Sequence, residues 1–143
     1  MYMGQNKTYN VSSGFTHLKI NLNKYYQYDG NKYLYNKGDG YSIGIKSTAD
    51  NFIAKLEAFC NIHSTIAREV YLGIVVNDKI CAESYVTTTS TIPYQNIYVC
   101  NPYMELKKND AISLHLYSNQ PGNILLQVGD SYPKISLTVS GIC

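Results

Sequence analysis

Apolar and polar residues alternate along many short stretches of this chain, which is the period-two pattern of half-buried β-strands. Leu18, Ile20 and Leu22, for example, alternate with polar neighbours. Such stretches recur at roughly 8–12 residues and are separated by Gly, Asn, Asp and Pro, which favour turns. The pattern predicts an all-β protein, an antiparallel β-sandwich of the jelly-roll type with about eight to ten strands.

The stretch from Val70 to Asn77 has the clearest strand pattern. Its even-numbered positions are all apolar, and the opposite face carries Tyr71, Gly73 and Val75. Strands that are apolar on both faces are usually covered on both. We therefore expect both faces of this strand to be covered.

Residues 48–64 fit two kinds of element. Phe52, Leu56 and Phe59 have the spacing of an amphipathic helix, whereas the even-numbered residues from Phe52 to Cys60 have the alternation of a strand. Periodicity alone leaves both open. A strand is the preferred interpretation, because the neighbouring segments are β and a lone short helix would need a sheet face to cover.

Length and composition indicate one domain with a partly covered surface. The 143 residues suffice to bury a core, so we interpret 1–143 as a single jelly-roll domain, with 1–14 as an extended or flexible N-terminal arm. Charged residues make up 15% of the chain, below the roughly 25% usual for a soluble domain. A surface this poor in charge suggests that another chain covers part of it.

Charge and hydropathy argue against several classes of partner. The net charge is +2 and the lysines are scattered, so no basic stripe is available for nucleic acid. No stretch reaches the ~18 consecutive apolar residues of a membrane span, and Met1–Asn10 lacks the apolar centre of a signal peptide. We therefore expect no nucleic-acid binding, no membrane insertion and no export by the ordinary route.

Four cysteines, Cys60, Cys81, Cys100 and Cys143, lie far apart and form no C-x-x-C pair of the kind that binds zinc or cycles as a dithiol. Unpaired thiols are favoured over a metal site. A Cys81–Cys100 or Cys60–Cys81 disulfide stays open, since spacing does not decide pairing. Cys143 could pair with a neighbouring chain.

No arrangement typical of catalysis is visible in the sequence. The chain lacks a Gly-x-Ser-x-Gly nucleophile motif, a phosphate-binding glycine loop and adjacent carboxylates. His17, His63 and His115 lie on separate segments without metal-ligand spacing. We therefore expect no enzymatic activity, no cofactor and no metal.

Three segments carry a family resemblance. Val70–Asp78 is an apolar strand that ends in a tight turn, Leu106–Leu116 places Asn-Asp before alternating apolar residues, and Ile135–Ile142 ends in Ser-Gly and an apolar residue. In this order they resemble the jelly-roll superfamily of tumour necrosis factor and the globular heads of complement subcomponent q, which also occurs on phage and virus fibres. Asn109 stands where that family usually has Gly, and Val139 where it has an aromatic residue.

The resemblance implies a compact homotrimer in which apolar and aromatic residues are buried near a threefold axis. Tyr71, Val75, His115 and Tyr117 are the expected trimer-interface residues, because they point away from the core set of their own strands. His115, flanked by aromatic residues on such a face, could make the stability of the trimer depend on pH.

Tyrosine is abundant, with fifteen residues and no tryptophan. Its rigid, amphipathic side chain is favoured at binding surfaces. Five tyrosines in predicted loops are the expected ligand contacts: Tyr26, Tyr28, Tyr94, Tyr98 and Tyr103. AT-rich coding explains the excess of tyrosine equally well.

Together these features favour a homotrimeric head of a viral or phage surface fibre, located at the virion surface, that attaches to a host receptor or glycan. If the chain is not viral, they favour an extracellular or cell-surface location reached by a non-classical route. The alternative is a structural minor capsid or coat jelly-roll that packs against other virion proteins and has no receptor-binding role.

Overall fold

A computed structural model of the protein describes residues 1–3, 6–12, 14–22, 24, 33–46, 52–128 and 135–141. Within these ranges the chain forms strands and no helix, so no helix there could cross a membrane. The strands are β1 (Lys7–Val11), β2 (Leu18–Lys19), β3 (Leu34–Asn36), β4 (Ile43–Ile45), β5 (Phe52–His63), β6 (Arg68–Val76), β7 (Lys79–Thr88), β8 (Tyr94–Leu106), β9 (Ala111–Ser118), β10 (Gly122–Leu126) and β11 (Ser136–Gly141).

The described strands form two sheets, and every pairing within them is antiparallel. In the first sheet, β5 pairs with β8 along one edge and with β10 and β11 along the other, and β1 pairs with β10. In the second sheet the order is β3-β4-β9-β6-β7, and β2 also pairs with β9. The predicted all-β, antiparallel jelly-roll sandwich is confirmed.

The core lies between the inner faces of these two sheets. Leu56 of the first sheet and Leu72 and Leu114 of the second are fully buried there. Along β5, buried and half-buried residues alternate over all twelve positions, which is the period of a strand with one face on the core. The strand interpretation of residues 48–64 is therefore confirmed for 52–63, while 48–51 lie outside the described residues.

Two turns at one end of the second sheet support each other. Asn77 and Asp78, between β6 and β7, both have positive φ angles, 51° and 68°, as a tight hairpin turn requires. The Asn77 side chain donates to Asp110 Oδ1 at 2.6 Å and accepts from Ala111 N at 3.0 Å, so it connects this turn to the start of β9. Asn109, where the resembled family has Gly, has a φ of 71°, a conformation that asparagine tolerates better than most residues.

Part of the segment interpreted as an N-terminal arm belongs to the first sheet. Strand β1, residues Lys7–Val11, pairs along its whole length with β10. Tyr9 and Val11 point into the core and are buried, and Met3 is buried as well. In residues 7–11 the segment is therefore a paired strand of the sandwich.

Candidate functional site

Three of the tyrosines expected in ligand-contact loops lie instead in a strand. Tyr94, Tyr98 and Tyr103 all belong to β8, whereas Tyr26 and Tyr28 lie outside the described residues. The loop prediction for these three is wrong: Ile97 and Val99 alternate with Tyr94 and Tyr98 and are buried, as in a half-buried strand, and Tyr103 lies in the same strand beyond a bulge. Each of the three tyrosines is more than half exposed, at 63%, 53% and 63%.

Tyr94 and Tyr98 share the outer face of the first sheet, and β5 side chains hold both in place. The Tyr98 hydroxyl donates a hydrogen bond of 2.7 Å to Glu57 Oε2, which raises the pKa of Tyr98 and lowers the pKa of Glu57. The Tyr94 ring packs against His63 at a centroid distance of 4.4 Å. Two exposed aromatic side chains are therefore held in place by residues of β5.

Tyr103 lies further along β8, beyond a bulge. The register between β5 and β8 shifts between Ala54 and Leu56, so that Pro102 and Tyr103 both lie opposite a single β5 residue. Tyr103 N donates to Asn101 Oδ1 at 3.1 Å within the bulge. This separates Tyr103 from the pair formed by Tyr94 and Tyr98.

A groove opens beside these tyrosines where β5 changes its partner strand. Strand β10 pairs with β5 at Ile62 and His63, whereas β11 pairs with the part of β5 between Ala54 and Phe59. Between the two ladders, the backbone oxygen of Asn61 accepts a hydrogen bond of 3.1 Å from Gln127 N. The groove lies where the described parts of β10 and β11 separate along β5.

The groove has a volume of about 790 Å³, which falls within the range of about 300–1,000 Å³ usual for ligand clefts. Among the described residues its lining is rich in side-chain amides and aromatic rings and contains no charged side chain. The lining residues are Asn6, Phe59, Asn61, Ile62, Tyr94, Gln95, Asn96, Gln127, Val128 and Ser136. Sequence reasoning found Tyr94 but missed the amides, because a change of partner strand has no local sequence signal.

On the opposite side of the sandwich, the outer face of the second sheet brings together three of the four expected interface residues. Tyr71 and Tyr117 are paired across β6 and β9, and their rings stack at 5.2 Å and 6°. His17 stacks on Tyr117 at 4.1 Å and 13°. Its Nδ1 lies 3.2 Å from Nδ1 of His115.

Two further aromatic contacts extend this arrangement across the sheet. Tyr85 of β7 packs on Tyr71 at 5.1 Å, and Phe15, which precedes β2, packs on Tyr71 at 5.7 Å. We refer to Phe15, His17, Tyr71, Tyr85 and Tyr117 as the aromatic cluster. Phe15 and Tyr85, which sequence reasoning missed, are exposed, at 54% and 55%, and His17 is exposed as well.

Val75, His115 and Tyr117 are already buried within one chain. Their exposed fractions are 1%, 8% and 3%. Tyr71 and His17 pack on Tyr117, and His17 lies against His115. Only Tyr71, which is half-buried, retains appreciable surface among the four expected interface residues. Among the aromatic residues of this face, Phe15, His17, Tyr71 and Tyr85 retain accessible surface.

Hydrogen bonds to carboxylates fix the rings of the aromatic cluster. The Tyr71 hydroxyl donates to Glu69 Oε2, and this bond, with some burial, raises the pKa of Tyr71 to about 12. The Tyr117 hydroxyl donates to Glu83 Oε2, and its pKa is raised by burial and then by this bond. Both tyrosines therefore remain neutral at physiological pH.

His115 is the buried titratable group of this face. Burial, followed by the proximity of His17 and Lys19, lowers the pKa of His115 to about 4. Its Nε2 is buried and has no hydrogen-bond partner within the described residues. The neutral imidazole is therefore the form that this site accommodates.

The described residues offer little for metal or thiol chemistry. They contain no group of three His, Cys, Asp or Glu side chains placed to hold a metal ion. Cys60, Cys81 and Cys100 are free thiols, so neither disulfide that the sequence left open forms among them, and Cys143 lies outside the described residues. Burial raises the pKa of Cys60 and of Cys81.

The two antiparallel sheets place the chain in the class of all-β jelly-roll sandwiches. No protein-family model and no curated protein matches the sequence. Among solved structures, the chain is similar to Eiger TNF from S. frugiperda, with 11% sequence identity, 91% of this chain and 94% of that chain covered, and a TM-score of 0.48. It is also similar to a CocE/NonD family hydrolase from Staphylococcus aureus, with 7% identity, 94% of this chain but 41% of that chain covered, and a TM-score of 0.45.

Proposed function

We propose that this protein is a non-enzymatic binding and assembly module, the homotrimeric head of a viral or phage surface fibre, which attaches to a host receptor or glycan. One observation carries the attachment role: a groove of about 790 Å³ adjoins Tyr94, and Tyr98 stands exposed on the same sheet face. Aromatic residues in a cleft supply large contact area at low entropic cost. The described lining supplies amides rather than acids or bases, which favours binding over catalysis.

The aromatic cluster supports the assembly role. Phe15 and Tyr85 expose more than half of their surface next to the half-buried Tyr71. Exposed aromatic residues packed side by side are typical of protein–protein contact surfaces. The cluster and the groove lie on opposite sheets, so copies that associate through the cluster leave the groove open to a ligand.

The assembly role is tested by sedimentation and native mass measurement at micromolar concentration. We expect a trimer for the unmodified chain, a monomer for Tyr85→Glu and a trimer for the matched variant Tyr98→Glu, which places the same charge on the other sheet. A monomeric unmodified chain overturns the assembly role. Dissociation of Tyr98→Glu alone overturns the assignment of the contact to the second sheet.

The attachment role is tested by binding of labelled protein to panels of bacterial and eukaryotic cells. We expect saturable binding to a subset of cells, which Tyr94→Ala weakens and Tyr85→Ala, on the opposite sheet, does not. A trimer that binds none of the cells contradicts attachment and favours the structural coat role.

A further inference from the structure

We infer that the groove binds an uncharged oligosaccharide, held by hydrogen bonds from the side-chain amides of its walls and by packing on the Tyr94 and Phe59 rings. This inference rests on the proposed attachment function and names the chemical class of the ligand. Three features of the described lining lead to this inference: its amides, its aromatic rings and the absence of charged side chains from it.

The amides match the hydrogen-bonding character of sugar hydroxyls. A hydroxyl group both donates and accepts, and a side-chain amide offers two donors and an acceptor. Asn61, Asn96 and Gln127 line the groove and make no side-chain hydrogen bond within the described part of the chain. Asn6 Oδ1 accepts from Val128 N at 2.8 Å, which positions this side chain and leaves its amino group as a donor.

The rings supply the apolar contact that a sugar also needs. One face of a hexose carries mainly C–H groups, and such a face packs on an aromatic ring without losing a hydrogen bond. Tyr94 is 63% exposed, and His63 supports it from one side at 4.4 Å. Because the ring is already placed, less conformational entropy is lost when a ligand packs on it.

The absence of charge from the described lining selects neutral sugars over anionic ones. A sialic acid carboxylate or a sulfate group would lose hydration in the groove and find no cation among its described lining residues. On the same face of β5, Lys55 lies 3.3 Å from Glu57 and is already paired with it. Phosphorylated ligands and nucleic acids are disfavoured for the same reason.

The experiment is an array of neutral, sialylated and sulfated oligosaccharides, followed by calorimetric titration of the strongest hit into the unmodified chain and three variants. We expect neutral sugars alone to bind. Loss of an aromatic side chain that the bound ligand covers typically weakens binding by about tenfold or more, so we expect that loss for Tyr94→Ala. Tyr94→Phe keeps the ring and should bind as the unmodified chain does. Tyr103→Ala is the matched control, because Tyr103 is equally exposed on β8 but does not line the groove.

The outcomes separate this inference from the proposed function. Sialylated or sulfated hits that Tyr94→Ala abolishes overturn the neutral class and leave attachment through the groove intact. Neutral hits that Tyr94→Ala does not weaken overturn the groove as the binding site. If no sugar binds but labelled protein still binds cells through Tyr94, the sugar inference fails alone. If neither binds, both fail.

Discussion

Arg68 donates a hydrogen bond from Nη1 to the backbone oxygen of Gln120 at 3.2 Å, which connects the start of β6 to the turn before β10. The same guanidinium bonds to Ser64 Oγ at 3.0 Å through Nε and to the backbone oxygen of Asn123 through Nη2. Arg68 is the sole arginine of the chain and is 3% exposed. Arg68 therefore joins the two sheets at the start of β10, and the groove lies at the other end of that strand.

Replacement of Arg68 should destabilise the fold strongly. Arg68→Ala removes three hydrogen bonds, of which the one to Ser64 is buried and the two to backbone oxygens are part-buried, so we expect a loss of roughly 1–3 kcal/mol. Arg68→Lys should recover only part of it, because an ammonium cannot serve three acceptors in the planar geometry of a guanidinium. Urea denaturation measures both, with Lys108→Ala as an exposed control that should stay within about 0.5 kcal/mol.

Burial of neutral His115 should make the protein less stable in mild acid. The pKa of His115 is lowered to about 4 in the folded chain, below its unfolded value of about 6.5. The contribution of the neutral ring to the free energy of unfolding is therefore complete above pH ~6.5 and is lost as the pH falls from there towards 4. His17, Lys19, Asp78 and, through Tyr117, Glu83 surround the ring.

For one histidine with these two pKa values, the expected loss of stability between pH 7.5 and pH 5 is roughly 2 kcal/mol. His115→Gln, which cannot titrate, should lack this part of the pH dependence. The free energy of unfolding from urea denaturation at the two pH values checks it. An unchanged pH dependence in the variant would assign the acid sensitivity to other groups.

Gly73 makes room for the aromatic cluster. A Cβ atom at this position would lie 3.0 Å from the Tyr117 hydroxyl oxygen and 3.2 Å from Cε1 of the ring. Gly73→Ala should therefore push Tyr117 away from Glu83, at a cost of about 1–3 kcal/mol, as overpacking usually does.

A double-variant cycle separates this clash from a loss of backbone freedom. In a Tyr117→Phe background the hydroxyl is gone, so Gly73→Ala should cost measurably less than in the unmodified chain. Equal costs in the two backgrounds, measured by urea denaturation, would contradict the contact with the hydroxyl as the cause.

The sequence predicted the strands with one buried face well, because their alternation is a direct record of burial. β5 belongs to this group, whereas β6 and β9 are buried on both faces over most of their length. β8 was predicted as a strand only over Ile97–Cys100, and its tyrosines were assigned to loops, whereas the strand runs from Tyr94 to Leu106. Proline has no N–H to donate, and β8 accommodates it because this strand pairs only with β5 among the described strands and leaves one edge unpaired.

The candidate sites were harder to predict because they depend on neighbours across strands. Alternation indicates that Tyr71 and Tyr117 point outwards, but it does not reveal that His17 stacks on Tyr117 or that Glu83 bonds to it. The burial of Val75 within one chain was likewise invisible, so its apolar character was attributed to a partner copy. The groove arises from divergence of β10 and β11, which only the sheet pairing shows.

The bulge at Pro102 has a consequence for solubility as well as for the placement of Tyr103. A long strand with one open edge is a template on which strands of other molecules can add and grow into fibrils. β8 is the longest described strand, and Pro102 removes an N–H donor from it while the bulge distorts the ladder nearby. Pro102 and the bulge therefore disfavour the addition of a strand from another molecule to the open edge of β8.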